Sequence, residues 1–130
     1  NGPGITLDVP DAWMSQVSND NLLVRSDTRT IALSITVGQA EADFDAIAAQ
    51  IHPQGATPLV RAENATVAGR TAAVFNATMT GRNGTADLTV TMFEIGHGYV
   101  ASVSRIERSD ATPETRAQAD AVMQTMQVVE

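Results

Sequence analysis

The chain has 130 residues, fifteen of them acidic and eight basic, which gives a formal net charge of −7. All eight basic residues are arginine, and the sequence contains neither lysine nor cysteine. The missing residue types exclude lysine Schiff bases, Walker-type phosphate loops, thiol nucleophiles and disulfides. The acidic balance argues against binding of nucleic acids or anionic lipids, since both need a basic surface. We expect residues 1–130 to form a single domain.

Apolar residues predict three strands in the first third of the chain. Segments 5–9 and 31–37 alternate apolar and polar residues, as half-buried strands do. A short apolar run at 22–24 lies between them. Pro10 and Gly38 end the two alternating segments.

Two segments have the 3.6-residue period of amphipathic helices. In segment 44–51, apolar residues fall at i, i+3, i+4 and i+7. A second helix is predicted after Thr112, which can cap it, with Pro113 at the first helical position and Glu114 in the first turn. Its apolar stripe consists of Ala119, Val122, Met123 and Met126.

The segments between these helices predict an antiparallel meander. They are rich in Thr and Val and are separated by short glycine-containing turns, which implies antiparallel neighbours. The predicted strands are 59–67, 73–79, 88–92 and 99–103. We therefore expect an α+β domain with a central antiparallel sheet of six to seven strands flanked by two helices.

Four segments resemble the PsbP/Mog-type fold, in the right order along almost the whole chain. ITLDVPDAW (5–13) is similar to its opening strand, and VAGRTAAVF (67–75) to its mid-chain glycine turn. GYVASVS (98–104) resembles its late strand, and ADAVMQTMQV (119–128) its closing helix. The resemblance implies a central antiparallel sheet flanked by helices. It also implies a role in binding or assembly, as in DcrB-like and envelope lipoproteins, without a shared catalytic constellation.

The residues available for catalysis or metal binding form no known motif. His52 and His97 are 45 residues apart, outside any His-Glu-x-x-His or facial-triad spacing, and no Gly-x-Ser-x-Gly elbow occurs. We therefore expect no catalytic residues, no metal site and no cofactor. His97 lies between two glycines in a predicted turn, where it is either an exposed ligand-binding residue or an ordinary solvent-facing one.

Trp13 is the strongest candidate for partner or ligand recognition. As an exposed indole beside Arg25 or Arg29 it suits a binding surface, because tryptophan and arginine dominate the energetics of interfaces. The alternative is a packed side chain that covers the edge of the sheet. Together with His97, these residues are the predicted binding site.

These observations predict a non-catalytic binding or assembly domain of a bacterial envelope protein or lipoprotein, outside the cytoplasm. The expected partner is a protein or a small ligand, and contact with a membrane is expected only through a segment upstream of Asn1. Residues 1–4 are expected to be a trimmed or disordered lead. Two alternatives stay open. One is a cytoplasmic secretion chaperone of the same fold, which predicts a large exposed apolar patch. The other is a small hydrolase or isomerase that uses His97 or a carboxylate.

Overall fold

A computed structural model describes residues 4–18, 21–39, 44, 46, 57–81, 84–96 and 98–129. Within these ranges the chain has ten strands and one helix, numbered here in chain order. They are β1 (Gly4–Thr6), β2 (Met14–Ser18), β3 (Asn21–Arg25), β4 (Ile31–Gln39), β5 (Val60–Arg61), β6 (Ala65–Val67), β7 (Arg70–Gly81), β8 (Gly84–Gly96), β9 (Tyr99–Arg108), α1 (Pro113–Gln124) and β10 (Gln127–Val129).

Eight of the described strands form one sheet in the order β2-β3-β4-β9-β8-β7-β5, with β6 also pairing with β7. Every pair in it is antiparallel. The remaining two strands, β1 and β10, pair with each other and bring the two ends of the chain together. The predicted α+β class with an antiparallel sheet is confirmed.

The predicted count of six to seven strands in the sheet is too low for the described part of the chain. Strand β2 escapes prediction because both of its faces are exposed, so that its sequence MSQVS has no apolar alternation. Segment 59–67 is two short strands separated by an irregular stretch. The first strand, predicted over 5–9, is shorter than expected and spans Gly4–Thr6.

Of the two predicted flanking helices, the structure describes one. The helix after Thr112 is confirmed: Thr112 Oγ1 accepts a hydrogen bond from the Thr115 amide at 3.2 Å, and Pro113 stands in the first turn. The other predicted helix, 44–51, lies outside the described residues except Phe44 and Ala46, which are helical. The described helix is not long and apolar enough to cross a bilayer.

The core lies on both faces of the sheet. On the face that carries α1, called the helix face, alternate residues of β4 and β9 pack under Ala119, Val122 and Met126. On the opposite face, alternate residues of β7 and β8 form a second apolar cluster, against which Phe44 and Leu59 pack. Strands β7 and β8 are therefore apolar on one face, and they carry polar residues on part of the helix face.

A polar groove on the helix face

A groove of about 600 Å³ lies over strands β7, β8 and β9 on the helix face. Its described lining is mostly polar, with hydroxyl, amide, carboxylate and guanidinium groups. The lining residues are Thr57, Val60, Asn76, Ala77, Thr78, Asp87, Leu88, Thr89, Arg105 and Glu107. We call this surface the polar groove.

The strand register forms the floor of the polar groove. It aligns Asn76, Thr89 and Arg105 in one row across the sheet, and Thr78, Asp87 and Glu107 in the next. Side chains in such rows lie about 5 Å apart on the same face. The floor is therefore two adjacent rows of three polar side chains.

Part of the hydrogen-bonding capacity of this floor is unused. Thr89 Oγ1 donates to Asn76 Oδ1 at 3.3 Å, which leaves the Asn76 amide NH₂ without a partner among the described residues. The Asp87 carboxylate likewise has no ion pair or hydrogen bond within the described part of the chain. The groove thus presents two donors and a charged acceptor close together.

An ion-pair network forms the wall of the groove next to α1. Arg105 Nη1 donates to Asp120 Oδ1 of the helix at 2.6 Å, and Arg105 Nη2 donates to Glu107. The other oxygen of Glu107 lies 3.4 Å from Arg116 Nε. The Arg105 and Glu107 side chains are only 16% and 18% exposed. The network therefore fixes α1 to β9 and holds Glu107 between two arginines.

The opposite wall is the segment that leads into β5. The Thr57 amide donates to the carbonyl of Thr78 at 2.9 Å, and the Thr78 amide donates to Thr57 Oγ1 at 3.0 Å. Val60, paired with Asn76, adds an exposed apolar side chain to this side. Both walls are thus held by hydrogen bonds or ion pairs.

Trp13, the strongest sequence candidate, is packed. Its side chain is 6% exposed and lies in a cluster with Val24 and Leu33 of the helix face. Its Nε1 donates to Gln118 Oε1 on α1 at 3.2 Å. Trp13 is therefore not an exposed indole. It is the packed side chain over the sheet that was the alternative prediction.

Of the other predicted site residues, the two that the structure describes, Arg25 and Arg29, do not lie beside Trp13. Arg25 pairs with Met14 and faces away from the helix side, since Val24, its neighbour in the strand, points into the core. Arg29 is exposed in the turn between β3 and β4, where its φ is 61°. His97 lies outside the described residues. The described lining of the polar groove contains neither Trp13 nor Arg25 nor Arg29.

The groove was not predicted from the sequence, although the sequence contains a signal for it. The pairing of Gly81 with Gly84 sets Thr78 opposite Asp87 and Asn76 opposite Thr89. Polar residues at alternate positions on both strands indicate a shared polar face. The third strand of the groove could not be aligned in this way, because a register shift interrupts the pairing of β8 and β9 between Glu94 and Gly96.

Comparison with known proteins gives a match in structure only. No family model matches the chain, and no curated protein sequence does. The structure is similar to that of LpqN, involved in cell envelope biogenesis of Mycobacterium tuberculosis, with a TM-score of 0.68 and 16% identity over 99% of this chain and 85% of that one. It is also similar to cyanobacterial PsbP from Synechocystis sp. PCC 6803, with a TM-score of 0.63 and 15% identity over 97% and 92% of the two chains. This is the PsbP-like fold.

A third match of the PsbP-like fold is to a longer protein. A Bacteroides thetaiotaomicron protein has a TM-score of 0.64 and 12% identity, over 97% of this chain and 45% of its own. At these identities the likeness is one of fold. It confirms the resemblance inferred from the four sequence segments.

Proposed function

We propose that this chain is a non-catalytic binding or assembly domain of a bacterial envelope protein, located outside the cytoplasm, and that the polar groove holds its ligand or partner. One observation carries the proposal. The groove has fixed walls and a floor on which Asn76 and Asp87 keep unused hydrogen-bonding groups. Preformed polar groups of this kind give orientation and specificity to a bound molecule.

The state of the carboxylates favours binding over catalysis. General acid–base chemistry commonly uses two carboxylates with different environments. In the groove, Glu107 is already engaged by Arg105 and Arg116. This leaves Asp87 as the unengaged carboxylate of the described lining, which suits recognition of a donor group.

The location in the envelope is supported by the fold. LpqN, which has the same fold, is described as involved in cell envelope biogenesis. We extend that location to this chain as part of the proposal.

The distribution of exposed apolar side chains favours this function over a secretion chaperone. Within the described ranges, the large exposed apolar residues are Met14 and Val17 on β2 and Val60 on β5. Strands β2 and β5 are at opposite ends of the sheet. A chaperone that shields apolar segments needs one contiguous apolar patch, which these residues do not form.

Photo-crosslinking in native bacterial cells tests the proposal. A photo-reactive amino acid is placed at Thr78 in the groove or, as the matched control, at Thr66, which is exposed on β6. We expect crosslinks to a discrete partner or ligand in the envelope fraction from position 78 and none to that species from position 66. Equal crosslinking from both positions, or recovery of the protein in the cytoplasm, would contradict the proposal.

A further inference from the structure

The two edges of the large sheet differ in how well they are protected against pairing with another chain. At one end, β5 has two residues, follows Pro58 and contains Arg61, whose guanidinium lies over the Phe75 ring at 5.2 Å. Short strands, prolines and charges are the devices that protect sheet edges. At the other end, β2 has five residues and, among the described strands, pairs with β3 alone.

Strand β2 has none of these protective features. Its residues Met14–Ser18 include no charge, no proline and no glycine. Met14 is 61% exposed and Val17 is 76% exposed, one on each face of the strand. An uncharged edge with exposed apolar side chains is a template for an added strand.

A small cavity lies beside this edge. It has a volume of about 270 Å³ and is lined by Met14, Ser15, Gln16, Leu23 and Arg25. Arg25 is its charged residue, and no carboxylate among the described residues pairs with it. In a chain with a net charge of −7, the edge thus presents an unpaired cation beside apolar side chains.

We propose that β2 is a docking edge for an extended segment of another protein, and that this segment carries a carboxylate and an aliphatic side chain three residues apart. This site lies at the opposite end of the sheet from the polar groove and goes beyond the function proposed for that groove. Backbone hydrogen bonds to β2 supply the pairing, and the two side chains supply the selectivity.

The spacing follows from the register. Arg25 is aligned with Met14, so the residue of the added strand opposite Met14 continues that row across the sheet. It lies about 10 Å from β3, a distance that a glutamate and an arginine side chain reaching toward each other can span. Val17 is three residues from Met14 and points to the other face, where it meets the aliphatic residue. The three-residue spacing holds for either direction of the added strand.

A second copy of this chain fits the edge less well. Two β2 strands paired about Gln16 would bring together ten uncharged residues and leave both Arg25 side chains without a carboxylate. The two copies would also each carry a net charge of −7 and repel one another. The unpaired arginine therefore favours a partner that brings an acidic residue.

The test uses a fluorescein-labelled synthetic peptide of about nine threonine and serine residues, with one glutamate and one valine three positions apart. Binding to the chain is followed by fluorescence anisotropy. We expect saturable binding that Val17→Lys weakens at least about tenfold, because a charge on the edge opposes strand addition. The matched variant Thr66→Lys, at an exposed position on β6 that lines neither the polar groove nor the small cavity, should leave the affinity unchanged.

A double-mutant cycle tests the ion pair. Arg25→Gln in the protein and Glu→Gln in the peptide should each weaken binding about fivefold, and the two together no more than either alone. Circular dichroism and thermal unfolding confirm that each variant folds. Absence of peptide binding, equal effects of Val17→Lys and Thr66→Lys, or additive losses in the cycle would each overturn the proposal. The proposal would also be overturned if the peptide failed to bind and the chain formed a dimer that Val17→Lys dissociates, because the edge would then pair with a second copy of this chain.

Discussion

At the scale of single residues, the turn between β6 and β7 depends on backbone conformation. Ala68 and Gly69 both have positive φ, 53° and 77°, and no atom lies within 4 Å of a Cβ built on Gly69. Gly69→Ala should therefore lower the free energy of unfolding by about 1 kcal/mol through backbone strain alone. Gly38 has an ordinary φ and equally open surroundings, so Gly38→Ala should not destabilise. Urea denaturation of both variants measures the difference, and equal losses would contradict this reading.

Also at the residue scale, the contribution of the ion-pair network around Glu107 to stability can be measured separately from that of an exposed ion pair. Glu107→Gln should lower the free energy of unfolding by about 1 to 2 kcal/mol, since it removes the carboxylate that the mostly buried Arg105 shares with the half-exposed Arg116, and leaves Arg105 only its pair with Asp120. The matched variant is Asp110→Asn, which breaks an exposed pair with Arg108 at 3.2 Å and should cost less than about 0.5 kcal/mol. Denaturant titrations measure both. Equal losses in the free energy of unfolding would show that the network attaches α1 to the sheet no more strongly than an exposed ion pair would.

At the scale of elements, Trp13 fixes the chain before β2 to the helix. Trp13→Ala should lower the free energy of unfolding by about 3 to 5 kcal/mol, as for a buried aromatic residue, and should expose the middle of α1 around Gln118. Met14→Ala changes the adjacent, exposed residue and should cost less than about 0.5 kcal/mol. Thermal unfolding compares the two. If Trp13→Ala unfolds like the Met14 variant, the indole is not part of the core.

Also at the scale of elements, the sequence predicts those elements that bury one face and expose the other. Strand β4 and helix α1 were predicted because each buries one face, so that Ile31, Leu33 and Ile35 recur at period two and Thr112 and Pro113 mark a helix start. Strand β2 buries neither face and therefore leaves no periodic signal. Strand β2 forms because it is hydrogen-bonded to β3. The residue types within β2 give no sign of this pairing with another segment.

The whole molecule explains why the site was harder to predict than the fold. The polar groove brings together residues from positions 57 to 107, and they meet only when β5, β7, β8 and β9 are aligned. None of these residues is unusual for an exposed strand position. The residues predicted to form a binding site were instead those of types frequent in interfaces, namely Trp13, Arg25, Arg29 and His97. Fold class thus follows from local periodicity, whereas this groove depends on register across four strands.

The central claim, that the polar groove is the binding surface of the molecule, is tested most directly by filling it. Thr78→Arg places a long charged side chain on the groove floor without removing any member of the ion-pair network, and Thr66→Arg adds the same group at an exposed position on β6. The measurement is the amount of partner or ligand that co-purifies with each variant from native envelopes, at equal thermal stability. We expect the co-purifying partner or ligand to be lost with Thr78→Arg and retained with Thr66→Arg. Retention by both variants would contradict the claim.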